Sequence, residues 1–200
     1  MEQIIKENNL LRDPKEFPII ADKILNGTIL ECKGKKFRIR EIEFYLKNDK
    51  HSDIYCHQNK DQKSFGYWYF HRTSDSGGYK SGTYKGLDIT LGDENSFYGI
   101  LIRTIQGEDN KMIEGPCKSV NKLLETCGFE PYGEGSLDKL TGKILRPCIG
   151  WDISLKDFSL KKETIRKGPR IGLSNKYPLW RDLPYRFAID GIKNKAETLF

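Results

Sequence analysis

The chain has 200 residues, of which 37% are hydrophobic and 31% are charged, and its formal net charge at pH 7 is +6. An aromatic content of 12% excludes a disordered chain, and the frequent charges exclude a membrane-spanning protein. The length suffices for one buried core, so we expect a single domain over residues 1–200. The positive charge is compatible with a phosphate-rich partner, although a basic surface alone does not indicate one.

The cysteines and the N-terminus bear on the cellular compartment. Five cysteines are scattered along the chain without a CxxC pair, which predicts neither a disulfide framework nor a zinc site. The first residues contain no apolar segment behind a basic one, so we expect no secretory signal. These features favour a reducing cytoplasm, near the nucleoid in a bacterium, or a nucleus. We expect no metal or other cofactor.

The first quarter of the chain predicts short helices followed by a β-hairpin. Apolar residues at mixed helical spacing predict the helices up to Leu25, and two turns then introduce strands at 28–32 and 37–45. Strict alternation in the second strand predicts that its side chains divide between two faces. Phe37, Ile39, Glu41, Glu43 and Tyr45 would share one face, and Arg38, Arg40, Ile42 and Phe44 the other.

The remaining pattern favours an antiparallel meander with helices at its edges. Strands are predicted at 65–72, 87–91 and 97–105, an exposed loop at 73–86, a helix at 118–127, and short strands around 149–151 and 185–189. The turn between the second and third of these strands, residues 92–95, has the Gly-Asp-Glu-Asn composition typical of hairpins. We therefore predict a mixed α/β (α+β) fold with a curved, mainly antiparallel sheet.

Several residues of this sheet suit the hydrolysis of a bond between a sugar and a nucleobase. That reaction develops positive charge on the sugar, so its site needs a carboxylate to orient water and an aromatic pocket for the base. Glu43 and Tyr45 point the same way from one strand, and Tyr69 lies on the next one. Taken singly, such a glutamate is usually solvated and such tyrosines usually belong to the core.

Taken in order, seven segments over residues 20–191 resemble the alkyladenine (3-methyladenine) DNA glycosylase family. EIEFY at 41–45 is similar to the family's E-T-E-A-Y strand, and HS at 51–52 to its H-S pair. YWY at 67–69 resembles Y-V-Y, and YGILIR at 98–103 resembles V-L-I-R-A. GPCK at 115–118 resembles G-P-G-K-L, and 168–173 with 183–187 resemble the closing R-I-G-I and P-x-R-F. Residues 24–30 resemble the family's first passage from helix to strand.

The resemblance implies a monofunctional DNA glycosylase that flips a base out of duplex DNA and leaves an abasic site. It assigns the activation of water to Glu43, with Arg103 near that water. The base pocket would be formed by Tyr45, His51, Tyr69 and Leu101. We expect Arg103 to hold the pKa of Glu43 down against burial. No lysine falls at an obvious pocket position, so we expect no lyase step.

Two departures from the family leave the substrate open. Asp88 stands where the family has an asparagine that crowds an unmodified purine, and an ionised aspartate would favour a base edge with an N–H donor. The alternative is that Asp88 faces solvent or a helix terminus. Asp53, Tyr55 and His57 replace an arginine-rich stretch and could enlarge or polarise the pocket for a bulky, hydroxyl-bearing base.

A third departure concerns contact with DNA. Arg72 stands where the family inserts a tyrosine into the gap left by the flipped nucleotide, so His71, Arg72 or Tyr79 must fill the gap if it is filled at all. We expect the loop from 72 to 85 to enter the DNA, although a solvated flexible loop is the alternative. The predicted DNA-binding residues are His71, Arg72, Tyr79, Lys80, Lys85 and Lys118.

The preferred function is base excision from duplex DNA by a monomer, with DNA repair of alkylated purines as the family's usual role. One alternative is excision of hypermodified bases, such as glucosylated hydroxymethylcytosine, from phage DNA in antiviral defence. Another is a non-catalytic binder of distorted DNA. A fourth interpretation, an unrelated β-rich enzyme in which these are core residues, would be favoured if Glu43 were buried away from any cleft.

Overall fold

The computed structural model describes residues 12–72, 84–128, 146–148 and 152–200. In these ranges the helices are α1 (Phe17–Gly27), α2 (Pro116–Thr126) and the short α3 (Pro178–Arg181). The strands are β1 (Thr28–Cys32), β2 (Lys35–Lys47), β3 (Phe65–Arg72), β4 (Tyr84–Leu91), β5 (Phe97–Gly107), β6 (Met112–Glu114), β7 (Arg146–Pro147), β8 (Ile153–Asp157), β9 (Ile165–Gly168) and β10 (Arg186–Ile189). Single 3-10 turns occupy Pro14–Glu16, Lys60–Lys63 and Ala196–Thr198.

The described strands form one curled antiparallel sheet, which makes this an α+β fold. Its order is β7-β3-β4-β5-β2-β1-β8, while β10 pairs with the middle of β2, β9 with β10, and β6 with β5. The predicted meander is confirmed for β3, β4 and β5, and the predicted hairpin for β1 and β2. The long strand β2 therefore has three partners and lies at the centre of the sheet.

Helices α1 and α2 bury apolar faces against the same core. In α1, Phe17, Ile20 and Ile24 recur at three- and four-residue spacing and are almost fully buried. Pro18 stands in its first turn, where a missing N–H costs no helical hydrogen bond. In α2, which starts two residues before the predicted position, Val120 and Leu123 belong to the same buried face.

The predicted alternation of β2 is wrong in its first half. Phe37 and Ile39 belong to the core together with Ile42 and Phe44, whereas Glu41, Glu43 and Tyr45 lie on the opposite face. The cause is a β-bulge, since the pairing with β5 skips Arg40 in β2 and Arg103 in β5. A bulge changes the face on which later side chains emerge and can redirect a side chain towards a site. Here the residue skipped in β5 is Arg103, which the sequence predicts to be catalytic.

Other sequence predictions fare differently. Residues 84–86 belong to β4 rather than to the predicted loop, and strands β8 and β9 were not predicted. The strand around 149–151 lies outside the described residues. No disulfide was predicted, yet the structure joins Cys32 to Cys127 in one. They are 95 residues apart in sequence and meet because the end of β1 lies beside the end of α2.

Candidate active site

One row of side chains crosses five strands on the face of the sheet opposite the core. Along this row, neighbouring strands pair Arg186 with Glu43, Glu43 with Leu101, Leu101 with Asp88, and Asp88 with Tyr69. Directly paired residues of antiparallel strands point to the same face. With a strand spacing of about 4.8 Å, Glu43 and Tyr69 are about 14 Å apart along the sheet. The register thus brings Glu43, Leu101, Asp88 and Tyr69, all predicted site residues, onto one line.

The Glu43 carboxylate is held from three sides. The Tyr45 hydroxyl donates to Oε2 at 2.8 Å, and the backbone N–H of Ile171 donates to Oε1 at 2.7 Å. The Arg103 guanidinium approaches Oε1 to 3.2 Å. Both carboxylate oxygens therefore have fixed partners.

Burial controls the protonation of this group. Desolvation raises the pKa of Glu43 above its ordinary value, while Arg103, the Ile171 N–H and the Tyr45 hydroxyl act in the opposite direction. The expectation that Arg103 keeps this pKa low is thus wrong in the net direction, because burial outweighs the attraction. Burial and the Glu43 charge also raise the pKa of Tyr45 well above its usual value. Tyr45 consequently stays a protonated donor to Glu43.

Arg103 belongs to a buried chain of alternating charges. Its Nε lies 3.5 Å from Oε1 of Glu41, and that same oxygen accepts a hydrogen bond from Arg186 Nε at 2.6 Å. The other oxygen of Glu41 accepts from the Thr104 hydroxyl at 2.5 Å. Although burial lowers the pKa of Arg103, Glu43 and Glu41 raise it, and the net direction is up. Arg103 is therefore a fixed cation between two carboxylates.

Arg170 holds the far side of the Glu43 pocket, and it was not predicted as a site residue. Its guanidinium contacts both oxygens of Asp53, at 2.5 and 3.2 Å, and lies 4.6 Å from the centre of the Tyr45 ring. The next residue, Ile171, supplies the N–H to Glu43. Asp53 is fully buried in this pair. The structure therefore uses Asp53 to hold Arg170 rather than to line the pocket.

The other end of the row is a cluster of aromatic and polar side chains. His71 Nε2 lies 2.7 Å from Asp88 Oδ1, and the His71 ring lies 4.6 Å from Tyr69 and 4.5 Å from His57. Asp88 is fully buried, so the interpretation that it faces solvent is wrong. Gly99 in β5 makes room for it, because a Cβ there would collide with Asp88 Oδ2. His71, predicted to bind DNA, is a buried member of this cluster.

His51 and Tyr55 lie to one side of the row. The His51 ring packs 5.1 Å from Trp180 and 5.6 Å from Tyr185, and burial lowers the pKa of His51. It lines a surface cavity of about 690 Å³. The Tyr55 hydroxyl donates to the Ser174 carbonyl at 2.6 Å. Tyr55, predicted to enlarge the pocket, packs against the buried cluster of Tyr45, Cys56 and Leu101. The ring contacts of His51 are to Trp180 and Tyr185 and not to the row.

The predicted DNA-binding residues are only partly described. Lys85 is exposed on β4, and Lys118 is exposed in the first turn of α2, where it lines a second cavity of about 330 Å³. Tyr79 and Lys80 lie outside the described residues, and for Arg72 only the backbone in β3 is described. Of the predicted DNA-entering loop at 72–85, the structure therefore describes only the two ends.

Access to Glu43 is closed in this structure. Its exposed fraction is 0%, and those of the adjacent Tyr45 and Leu101 are 9% and 8%. Neither of the two cavities above is lined by Glu43. This is the observation that favours the interpretation of an unrelated β-rich enzyme in which Glu43 is a core residue. If Glu43 is catalytic, any substrate must displace side chains to reach the carboxylate.

Comparisons with known proteins place the chain in a family without assigning a reaction. None of the helices in the described ranges is long and apolar enough to cross a membrane. No family model matches the chain. "Uncharacterized protein L759" of Acanthamoeba polyphaga mimivirus is 44% identical to it in an alignment of 202 positions, which covers 92% of this chain and 91% of the viral protein. The chain therefore belongs to the same family as mimivirus protein L759.

Proposed function

We propose that this chain is a monofunctional DNA glycosylase with an alkyladenine-glycosylase-like fold, which flips a modified base from duplex DNA and hydrolyses its N-glycosidic bond. The observation that carries this proposal is the Glu43 carboxylate, bound by Tyr45, Arg103 and Ile171 at one end of a row that ends in an aromatic cluster. A carboxylate and an aromatic grip are the two parts that base excision requires.

Glu43 serves as the general base in this proposal. Its carboxylate takes a proton from water as the water oxygen bonds to the sugar carbon C1′. The bond from C1′ to the base nitrogen breaks, and the base leaves with the electron pair. A raised pKa favours such a role, because a base works best when its pKa approaches the working pH. Arg103 keeps the carboxylate in place throughout.

Tyr45 and Tyr69 are proposed as the walls that hold the extruded base. Stacking on an aromatic side chain contributes about 1–3 kcal/mol per base, which offsets part of the cost of unstacking it. Because Tyr45, Leu101 and Glu43 are closed to solvent, base entry must displace the Tyr45 or Leu101 side chain. In this proposal the pocket opens only when the base enters it.

Asp88 and His71 are proposed to contact the edge of the base. Asp88 accepts hydrogen bonds and so favours a base with an exocyclic amine. Alkylated purines fit this description. His57, exposed beside His71, gives the pocket a polar rim that also suits a hydroxyl-bearing, hypermodified base of phage DNA. Asp53 lends this second substrate no support, because Arg170 occupies it.

A non-catalytic binder of distorted DNA is the second candidate, and the complete burial of Glu43 favours it. In that case Glu43 would serve only to hold Ile171 and Arg103 in place. The two candidates predict the same DNA binding but differ in whether a base is released.

The test incubates the protein with duplexes that carry an alkylated purine, a deaminated purine or glucosylated hydroxymethylcytosine, and then cleaves abasic sites with alkali. We expect strand breaks on at least one of them with wild type and with Glu94→Gln, a control at an exposed turn. Glu43→Gln should bind the same duplex without producing breaks. Binding without breaks by wild type on every duplex would instead support the non-catalytic candidate.

A further inference from the structure

The segment 174–181, which includes α3, presents apolar side chains to solvent beside the candidate site. Leu179 is 86% exposed, more than any other large apolar side chain in the described ranges, and Tyr177 is 42% exposed. A single exposed leucine needs no explanation. Leu179 and Tyr177 together, only two positions apart and beside the candidate site, form an apolar patch that does need an explanation.

The backbone of this segment is firmly held although its tip is exposed. Arg170 donates to the Trp180 carbonyl at 3.0 Å, and the Tyr55 hydroxyl donates to the Ser174 carbonyl at 2.6 Å. The Trp180 ring packs edge-on against His51. Leu179 therefore projects from a rigid support, and inserting it elsewhere would cost little conformational entropy in the backbone.

The same support leads directly to the catalytic end of the row. Arg170, which holds Trp180, also lies over the Tyr45 ring, and the next residue, Ile171, donates to Glu43. Leu179 directly precedes Trp180, whose carbonyl accepts a hydrogen bond from Arg170. The same Arg170 guanidinium contacts the Tyr45 ring. Through Arg170, α3 therefore lies close to Tyr45, a proposed wall of the pocket.

The charges around the tip suit a phosphate backbone. Lys176 is exposed, with its ammonium group 5.1 Å from the centre of the Tyr177 ring. Arg181 is paired with Asp182, at 2.6 and 2.8 Å, so its charge is largely balanced locally. Lys176 is then the cation placed to contact a phosphate beside the apolar tip, in a chain of net charge +6.

We propose that Leu179 is the wedge that enters the duplex at the gap left by the flipped nucleotide. This inference rests on the proposed function. Proteins that unstack DNA commonly insert leucine or another apolar side chain between base steps. Leu179 would thereby fill the gap for which the sequence offers no aromatic residue at the family's position, because Arg72 stands there.

The test compares single-turnover excision from a duplex with excision from the same modified strand in single-stranded form. Leu179→Ala should slow duplex excision on the order of tenfold and leave single-strand excision unchanged, because a single strand has no gap to fill. Leu179→Met, which keeps an apolar wedge, should retain the duplex rate. Ile19→Ala, at a 57% exposed position on α1, is the matched control and should behave as wild type.

A second measurement separates this proposal from the proposed function. A duplex with 2-aminopurine next to an abasic-site analogue should gain fluorescence when wild type binds, and Leu179→Ala should bind without this gain. That readout does not need catalysis, so it decides the proposal even if wild type excises no base. Equal duplex rates, equal loss on both strand forms, or equal fluorescence gains in wild type and Leu179→Ala would overturn the wedge while leaving Glu43 untouched.

Discussion

The two ends of the cross-strand row differ in how their polar groups are held. At the Glu43 end, both oxygens of the Glu43 carboxylate accept hydrogen bonds, while the buried Nε atoms of Arg103 and Arg170 have no hydrogen-bond partner among the described residues. At the Asp88 end, Asp88 Oδ1 and His71 Nε2 lie 2.7 Å apart but make no well-directed hydrogen bond. The Glu43 carboxylate is therefore held in one geometry, whereas Asp88 Oδ1 keeps hydrogen-bonding capacity for a ligand.

This difference indicates a division of roles under the proposed function. Fixed donors and charges are what a reaction centre needs, because they stabilise charge without rearranging during the reaction. Buried polar atoms with unsatisfied hydrogen-bonding capacity are costly unless a ligand satisfies them. We therefore expect changes at the Glu43 end to damage the fold or the reaction, and changes at the Asp88 end to alter which base is accepted.

The largest expected effect comes from Asp53→Ala, which breaks the Glu43 end. It leaves the Arg170 guanidinium buried without its counter-charge, which we expect to lower the free energy of unfolding by about 3–5 kcal/mol. Asp190→Ala is the matched control, because it breaks an Arg–Asp pair that is half exposed, and it should cost about 0–1 kcal/mol. Urea denaturation of both variants measures the difference. Equal losses would show that the Asp53 pair does not anchor this end.

A smaller effect is expected from Asp88→Asn, which probes the other end. Asparagine keeps the size but adds an N–H donor, so preference should move from a base edge with an amine towards one with a carbonyl. We expect the ratio of excision rates for alkylated adenine over hypoxanthine to fall by about tenfold, at the low end of what one such contact discriminates. Asp109→Asn, at an exposed turn, should leave the ratio unchanged. A constant ratio in Asp88→Asn would remove Asp88 from base recognition.

The smallest effect concerns the stability of the Glu43 end as pH changes. Because the folded-state pKa of Glu43 is raised, the folded protein favours the protonated form, and this contribution is fully present below the unfolded pKa. It is lost as pH rises through the folded pKa. Wild type should therefore lose stability relative to Glu43→Gln as pH rises, measured by thermal unfolding at several pH values. A difference that is constant with pH, or of the opposite slope, contradicts a raised pKa.

Local patterns predicted most of the sheet but not its change of face. Strands β3, β4 and β5 follow from runs of strand-forming residues and from the turn at 92–95. The bulge at Arg40 was not predictable, because alternation in a sequence cannot show that a partner strand skips a residue. The error did not affect Glu43 and Tyr45, which lie on the same side of the bulge.

The candidate site was predictable where it follows strand periodicity and not where it depends on distant chain segments. Tyr69 and Asp88 were assigned to the pocket by the family resemblance, and the pairing of β3, β4 and β5 places them on the row with Glu43. Ile171 donates to Glu43 across 128 residues of sequence, and Arg170 reaches Asp53 across 117, so no local pattern links them. The segment around Arg170 resembled a family motif, but nothing local showed what it would contact.

The most direct test of the account measures release of the free base under single-turnover conditions, with wild type and Glu43→Gln at equal occupancy of a duplex carrying an alkylated purine. If Glu43 is the general base, wild type releases the base and the rate in the variant is lower by about 10²- to 10⁴-fold, the usual contribution of a general base. Equal release by both proteins would remove Glu43 from the reaction. Absence of release by wild type from a fully bound duplex would contradict the assignment of this chain as a glycosylase for that base.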